Sequence, residues 1–190
     1  MKIKAIIFIV CCAFISCNSS KNPAEEAAKM QVLDQLMAQN DFQIESNWAH
    51  PLVSNSITSI ANSRLLPPGS TAGAIDIFGN PNYLRVMGDS ISMYLPYYGE
   101  RQLAATYNNT IIAIKYDGKP DNIKIEKNEK KQTYELQFIA KGDRETYRVF
   151  IKLTPNLTSM ISVNSSHRTP ISYKGNISKI PKNDQPITVQ

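Results

Sequence analysis

The sequence predicts a mainly β fold of the α+β class: a curved antiparallel sheet, or a partly closed barrel or sandwich, with one N-terminal helix. Three observations predict it. Alternating apolar runs recur at roughly eight- to twelve-residue spacing, with turn residues between them. There is no strand–helix–strand alternation, which excludes a doubly wound parallel sheet. One early stretch combines a helix-start signal with three- and four-residue apolar spacing. At 190 residues the chain suits one domain with a normal core.

Residues 1–16 read as a lipoprotein signal peptide. Lys2 and Lys4 give the positive start, and Ala5 to Phe14 is an apolar run too short for a resident membrane helix. It ends at Phe14-Ile15-Ser16-Cys17, which resembles a bacterial lipobox and makes Cys17 the expected lipid-attachment residue. Several acyl chains on one cysteine give stable membrane anchoring where a single chain would be marginal. Asn18, not Asp, follows the cysteine, which points to the outer membrane, on its periplasmic face or at the cell surface. Residues 17–22 form a polar, lipidated tether. The globular domain is expected over 23–180, and 181–190 is a polar tail.

Asn22-Pro23 followed by Glu25 and Glu26 is a helix start, with Pro in the first turn and acids near the positive end of the dipole. The helix runs from Pro23 to Gln39, its core stripe being Ala27, Met30, Leu33 and Met37. Asp41 to Ala49 alternates through Phe42, Ile44, Ser46 and Trp48 as a strand. Leu52 to Asn82 is a long polar section, with short strands expected at Ile57–Ile60 and Ala74–Phe78. Tyr83–Met87 and Ser90–Leu95 form a hairpin about Gly88-Asp89. Gln102–Tyr107 and Thr110–Tyr116 form another about Asn108-Asn109. Asn122–Lys127 is a short strand with Ile123 and Ile125 inward. Tyr134–Ala140 and Tyr147–Leu153 are the clearest pair, turning at Gly142-Asp143. Leu157–Val163 and Thr169–Tyr173 follow, and Gly175 leads into Asn176–Ile180.

Cys11, Cys12 and Cys17 all lie in the first seventeen residues. The domain therefore has no thiol nucleophile, no disulfide and no cysteine zinc site. Only His50 and His167 offer imidazoles. The formal charge of +5 falls by two, to +3, once the leader lysines are removed. The remaining basic residues are scattered beside acids, as in Lys124, Lys127, Lys130 and Lys131 near Glu126 and Glu129, which is not a nucleic-acid footprint. There is no Gly-x-Ser-x-Gly turn and no phosphate loop, and Asp76, Asp89 and Glu100 are the only acids near the candidate face. No catalytic residue, metal site or cofactor is expected, and the reading is of a protein that is not an enzyme.

Tyr83-Leu84-Arg85-Val86, Gly88-Asp89-Ser90, Tyr94-Leu95-Pro96-Tyr97-Tyr98-Gly99 and Arg168-x-Pro170-Ile171-Ser172-Tyr173-x-Gly175 resemble the motifs of the family called domain of unknown function 4251. The resemblance covers about Ala24 to Ile177. It implies a secreted bacterial lipoprotein and transfers no chemistry, since the family has no assigned activity. The chain departs from the pattern at Glu100-Arg101, in the length of Leu52–Asn82, and at Tyr107–Ile112.

Tyr94, Tyr97, Tyr98 and Arg101 are the one constellation suited to recognition, and Arg168 and Tyr173 either close on the same region or brace the last strand, the bracing role being the favoured one. Aromatic faces beside a guanidinium suit a sugar ring, a peptide or a lipid headgroup. The alternative is a core corner, with each phenol satisfied on backbone. Two functions follow as expectations. One is a lipid-anchored binding module of the cell envelope for an unknown small molecule or envelope protein. The other is a structural or assembly component without a ligand pocket. Exposure of Tyr97 and Tyr98 around a concavity favours the first, and their burial favours the second.

Overall fold

The computed structural model describes residues 23–102, 113–143 and 145–181. The leader, Cys17 and its tether, residues 103–112 (which hold the Asn108-Asn109 turn and nearly all of the expected Gln102–Tyr107 strand) and the tail beyond Pro181 lie outside the described residues. Helix α1 (Pro23–Gln39) is where the sequence places it. Its buried residues are Met30, Leu33, Leu36 and Met37, whereas Ala27 is exposed. The stripe therefore begins one turn later than its spacing predicts. Asn40 closes the helix in the left-handed region, with φ 49°. It also ties the helix to a hairpin turn, because its Nδ2 donates to the Gly88 carbonyl at 2.6 Å and its own carbonyl accepts from the Gly88 amide at 2.8 Å.

Ten strands form one antiparallel sheet among the described residues. They are β1 (Asp41–Pro51), β2 (Ile75–Asp76), β3 (Tyr83–Met87), β4 (Ser90–Pro96), β5 (Ala113–Gly118), β6 (Asp121–Asn128), β7 (Thr133–Lys141), β8 (Thr146–Leu153), β9 (Thr158–Ser165) and β10 (Ile171–Ser178). The order is β5-β4-β3-β1-β10-β9-β8-β7-β6, with β2 paired to β1 off this path. β5 and β6 stand at opposite ends of the order, yet only Lys119 and Pro120 separate them in the chain. Three residue steps span at most about 11 Å. The sheet must therefore curl until its two edges approach at that corner, forming a half-barrel. Its concave face holds the core, including Phe42, Ile44, Leu84, Leu95, Phe138, Val149, Ile161 and Tyr173.

β1 shows why the predicted alternation holds only in part. Phe42 and Ile44 are buried as expected, but the register shifts between Ser46 and Trp48 where β1 meets β10. Such a bulge adds a residue and reverses the parity beyond it. Ala49 and Pro51 are buried in consequence, and Trp48 is only half-buried. Gly175, expected between the Thr169–Tyr173 strand and Asn176–Ile180, lies inside β10 opposite Ser46 at this bulge.

Two expectations are overturned. Ile57–Ile60 is not a strand but part of helix α2 (Asn55–Asn62). Ser54 caps it, accepting from the Ile57 amide at 3.4 Å, and the Thr58 and Ser59 hydroxyls donate back to the carbonyls of Ser54 and Asn55. A good cap outweighs the weak strand preference of a short β-branched run. Ile123 and Ile125 are not buried: each is 39 % exposed. Ile125 stands opposite the buried Leu136 of β7 and Ile123 lies where the register shifts between Asp121 and Lys124, but β6 is an edge strand, and no neighbour covers them among the described residues.

Helix α1 closes the end of the half-barrel where β6 and β7 meet. Asp34 accepts from the Tyr134 hydroxyl at 2.7 Å and from Lys127 Nζ at 3.2 Å. Partial burial raises the Asp34 carboxyl. The hydrogen bonds from Tyr134 and Lys127 together with the Lys127 charge outweigh it and leave the group below its ordinary value. Tyr134 is pushed up to about 12, by burial first and then by the hydrogen bond and negative charge of Asp34.

Candidate functional site

The six predicted recognition residues divide into two places. Tyr97, Arg168 and Tyr173 come together at the corner where the chain leaves β4, and they are buried. The Tyr97 hydroxyl donates to the carbonyls of Glu100 (2.9 Å) or Thr169 (3.1 Å) and lies 2.8 Å from Thr169 Oγ1. The Tyr173 hydroxyl donates to the Pro96 carbonyl at 2.9 Å. Arg168 Nε donates to both oxygens of Glu145, at 2.9 and 3.0 Å, and Nη1 reaches the Ala113 carbonyl at 3.4 Å. Its guanidinium lies 5.0 Å from the centre of the Tyr97 ring.

Glu145 completes this brace. Its carboxylate also accepts from the Tyr147 hydroxyl at 2.9 Å and from the Ser165 hydroxyl. Ser165 Oγ in turn accepts from the amides of His167 and Arg168. Two backbone bonds, Thr169 N to Glu100 O and Gln102 N to His167 O, fasten the strand-exit segment to the segment before β10, and Arg101 pairs with Arg168 across this bridge. Burial raises the phenols of Tyr97, Tyr147 and Tyr173, most strongly in Tyr173. All three stay neutral donors. Tyr98 is half-buried against the core, hydrogen-bonded to the Asn80 side chain, and its phenol is raised by burial. Every polar group of this corner that is named above is satisfied within the chain. Chemically it is a clamp rather than a binding face.

Tyr94 lies on the other face of β4 and belongs to a different constellation. Tyr83 stands opposite it on β3, and the two rings stack at 6.2 Å and 28°. Arg85 covers Tyr83 at 4.3 Å, and Lys115 of β5 covers Tyr94 at 5.1 Å. Gln43 of β1 accepts from Arg85 Nε at 2.7 Å. The result is a half-exposed row, Arg85–Tyr83–Tyr94–Lys115, running across three strands. It borders a cavity of about 510 Å³ at the seam, lined also by Tyr116, Asp117 and Lys141. Such a row offers ring faces for stacking and two cations at its ends. Among the described residues, no group of three His, Cys, Asp or Glu side chains converges as a metal site.

The sequence reading found Tyr94 but missed Tyr83, Arg85 and Lys115 beside it. The signal was present. With Gly88-Asp89 as a two-residue turn, Met87 faces Ser90 and Tyr83 faces Tyr94. Glu145 was missed because it reads as a polar residue just past a turn. Nothing local ties it to Arg168, 23 residues on.

The brace also explains two motif glycines. A Cβ on Gly99 would lie 2.6 Å from the Tyr97 hydroxyl and 2.8 Å from Thr169 Oγ1, and one on Gly175 would run into the backbone of β1. A family model described as Domain of unknown function (DUF4251) matches residues 24–177. Among solved structures, the chain is similar to the crystal structure of a DUF4251 family protein from Bacteroides eggerthii DSM 20697. That likeness has 12% sequence identity and a TM-score of 0.54, and covers 83% of this chain and 92% of that one. At that identity it speaks for the fold alone. No curated protein matches this chain. The matched span carries both arms of the clamp, the Tyr97–Gly99 corner and the Arg168–Gly175 approach to β10, and the chain belongs to the family Domain of unknown function 4251.

Proposed function

We propose that this is a lipid-anchored cell-envelope protein that works as a non-catalytic binding module. It holds a polar, ring-bearing ligand, a sugar or a peptide, against the row Arg85–Tyr83–Tyr94–Lys115 where the row opens onto the seam cavity. The observation that carries the reading is the stacked tyrosine pair, half-exposed and bracketed by two cations beside a cavity of about 510 Å³. A cavity of that size falls in the range of small-ligand sites. The anchor rests on Phe14-Ile15-Ser16-Cys17, and the outer membrane on Asn18. Cys17→Ser is expected to abolish incorporation of labelled palmitate, and labelling that persists in this variant sinks the lipoprotein assignment.

The second reading, an envelope structural component, draws on the burial of Tyr97, Tyr173 and Arg168, which removes three of the six predicted residues from any surface. Native mass spectrometry of residues 18–190, purified gently from cells, separates the two. The expected result is a mass excess that vanishes on denaturation and is absent from the Tyr83→Ala/Tyr94→Ala double variant. Exposed cation–aromatic contacts contribute only about 0.5–1 kcal/mol each, so that variant should still fold. A wild-type chain with no mass excess, and no change of its melt when sugars or peptides are added, overturns the binding reading. An excess that the double variant retains moves the site off this row.

A further inference from the structure

β6 ends the strand path, and among the described residues nothing pairs with its outer edge. Seven of its eight residues are exposed. Ile123 and Ile125 are each 39 % exposed; Ile125 stands opposite the buried Leu136 of β7, and Ile123 lies in the register irregularity between Asp121 and Lys124. A free edge of this length presents a row of unpaired backbone donors and acceptors, a template for one more strand. Two half-exposed isoleucines on it add an apolar reason for that strand to come.

We infer that the strand is β6 of a second copy of this chain, running antiparallel so that the two half-barrels share one continuous sheet. The charge pattern of the edge argues for a second copy and selects the register. With Ile125 opposite Ile125 on the two-fold axis, Lys124 of each copy stands opposite Glu126 of the other. Ile123 then stands opposite Lys127. The symmetry makes the Lys124–Glu126 pairing twice, on the same face. Sliding the pairing to the next same-face registers sets Lys124 against Lys124 or Glu126 against Glu126. Intermediate registers set the isoleucines against the charged face. Opposite charges across strands stabilise and like charges directly opposite do not, so of these registers the charges favour the one centred on Ile125. Glu126 also faces Glu135 on β7 within its own copy. Lys124 of its own strand reaches it at 2.7 Å. A second lysine, from the other copy, offsets the remaining repulsion.

This interface is independent of the tyrosine row, which lies on β3, β4 and β5. It is tested in the full chain, in intact envelopes, by single cysteine substitutions and oxidation. Ile125→Cys is expected to give a disulfide-linked dimer, because the two Cα atoms face each other across one strand spacing. Ile123→Cys is expected to stay monomeric on the same gel, because its counterpart lies four residues further along the strand, roughly 13 Å away, beyond the roughly 7 Å that a disulfide spans. Separately, Lys124→Glu and Glu126→Lys alone should each weaken dimerisation by about tenfold or more in detergent, and the two together should restore it. Glu126→Lys removes the clash with Glu135, so its loss of dimer would not be a loss of folding. No dimer from Ile125→Cys, equal crosslinking at both positions, charge variants without effect, or crosslinking only to a different protein would each overturn the proposal.

Discussion

Gly175→Ala is expected to cost about 3 kcal/mol or more, the range of severe overpacking. Gly175 lies in β10 opposite Ser46, at the bulge of β1. A Cβ there would sit 2.5 Å from Ser46 Cα and 2.7 Å from the Glu45 carbonyl carbon, with the carbonyl oxygen closer still. All three atoms are backbone, so no rotamer change relieves the clash. The two strands must separate at the centre of the sheet, or the bulge must move and turn Ala49 and Pro51 out of the core. Since whole domains have about 5–15 kcal/mol of stability, this change consumes a large share of it. Urea unfolding followed by Trp48 fluorescence measures the effect. Gly73→Ala is the control, because its Cβ would meet only the Val53 side chain at ordinary contact distance, 3.4 Å. A Gly175→Ala midpoint equal to that control would show that the approach of β1 to β10 is not as tight as described.

The second large effect is expected at Arg168. Its side chain is 2 % exposed and that of its partner Glu145 is 12 % exposed. Arg168→Met keeps much of the volume but leaves the Glu145 carboxylate without its cation in a nearly dry place. Breaking a buried pair from one side costs about 3–5 kcal/mol, because the surviving charge stays desolvated. Tyr147 and Ser165 still donate to Glu145, which places the expected loss near the lower end. Removing the acid as well, in Arg168→Met/Glu145→Gln, should recover a substantial part of it. Thermal melts of the two single variants and the double variant give the coupling. A single variant that melts with the wild type would mean that the pair contributes nothing to the corner.

These two positions fall in the same late motif, Arg168 to Gly175, and the structure gives each a mechanical role. Arg168 ties the start of β5 to the approach to β8, and Gly175 lets β10 close on β1. The motif is therefore explained by folding, and the proposed recognition row lies outside it. Tyr83, Arg85 and Tyr94 sit in the earlier motif, and Lys115 on β5 lies in neither.

The sequence by itself determined what is local. Helix α1 follows from Asn22-Pro23 and the Met30–Leu33–Met37 spacing, and the hairpins follow from Gly88-Asp89 and Gly142-Asp143, where a few residues set the turn and the turn sets the register. Alternation in β7 and β8 followed as well, because those strands run without a bulge and one face of each meets the core. Tertiary structure alone decided which alternating residues are truly inside. The bulge in β1 exchanged Trp48 for Ala49. The edge position of β6 left Ile123 and Ile125 uncovered. Tyr97, for which the residues around Pro96 leave both a recognition face and a core corner open, is buried where it meets Thr169, 72 residues away in the chain. Burial is a property of what lies across the sheet. A period of two in the residues names two faces and is silent about which neighbours, if any, will cover them.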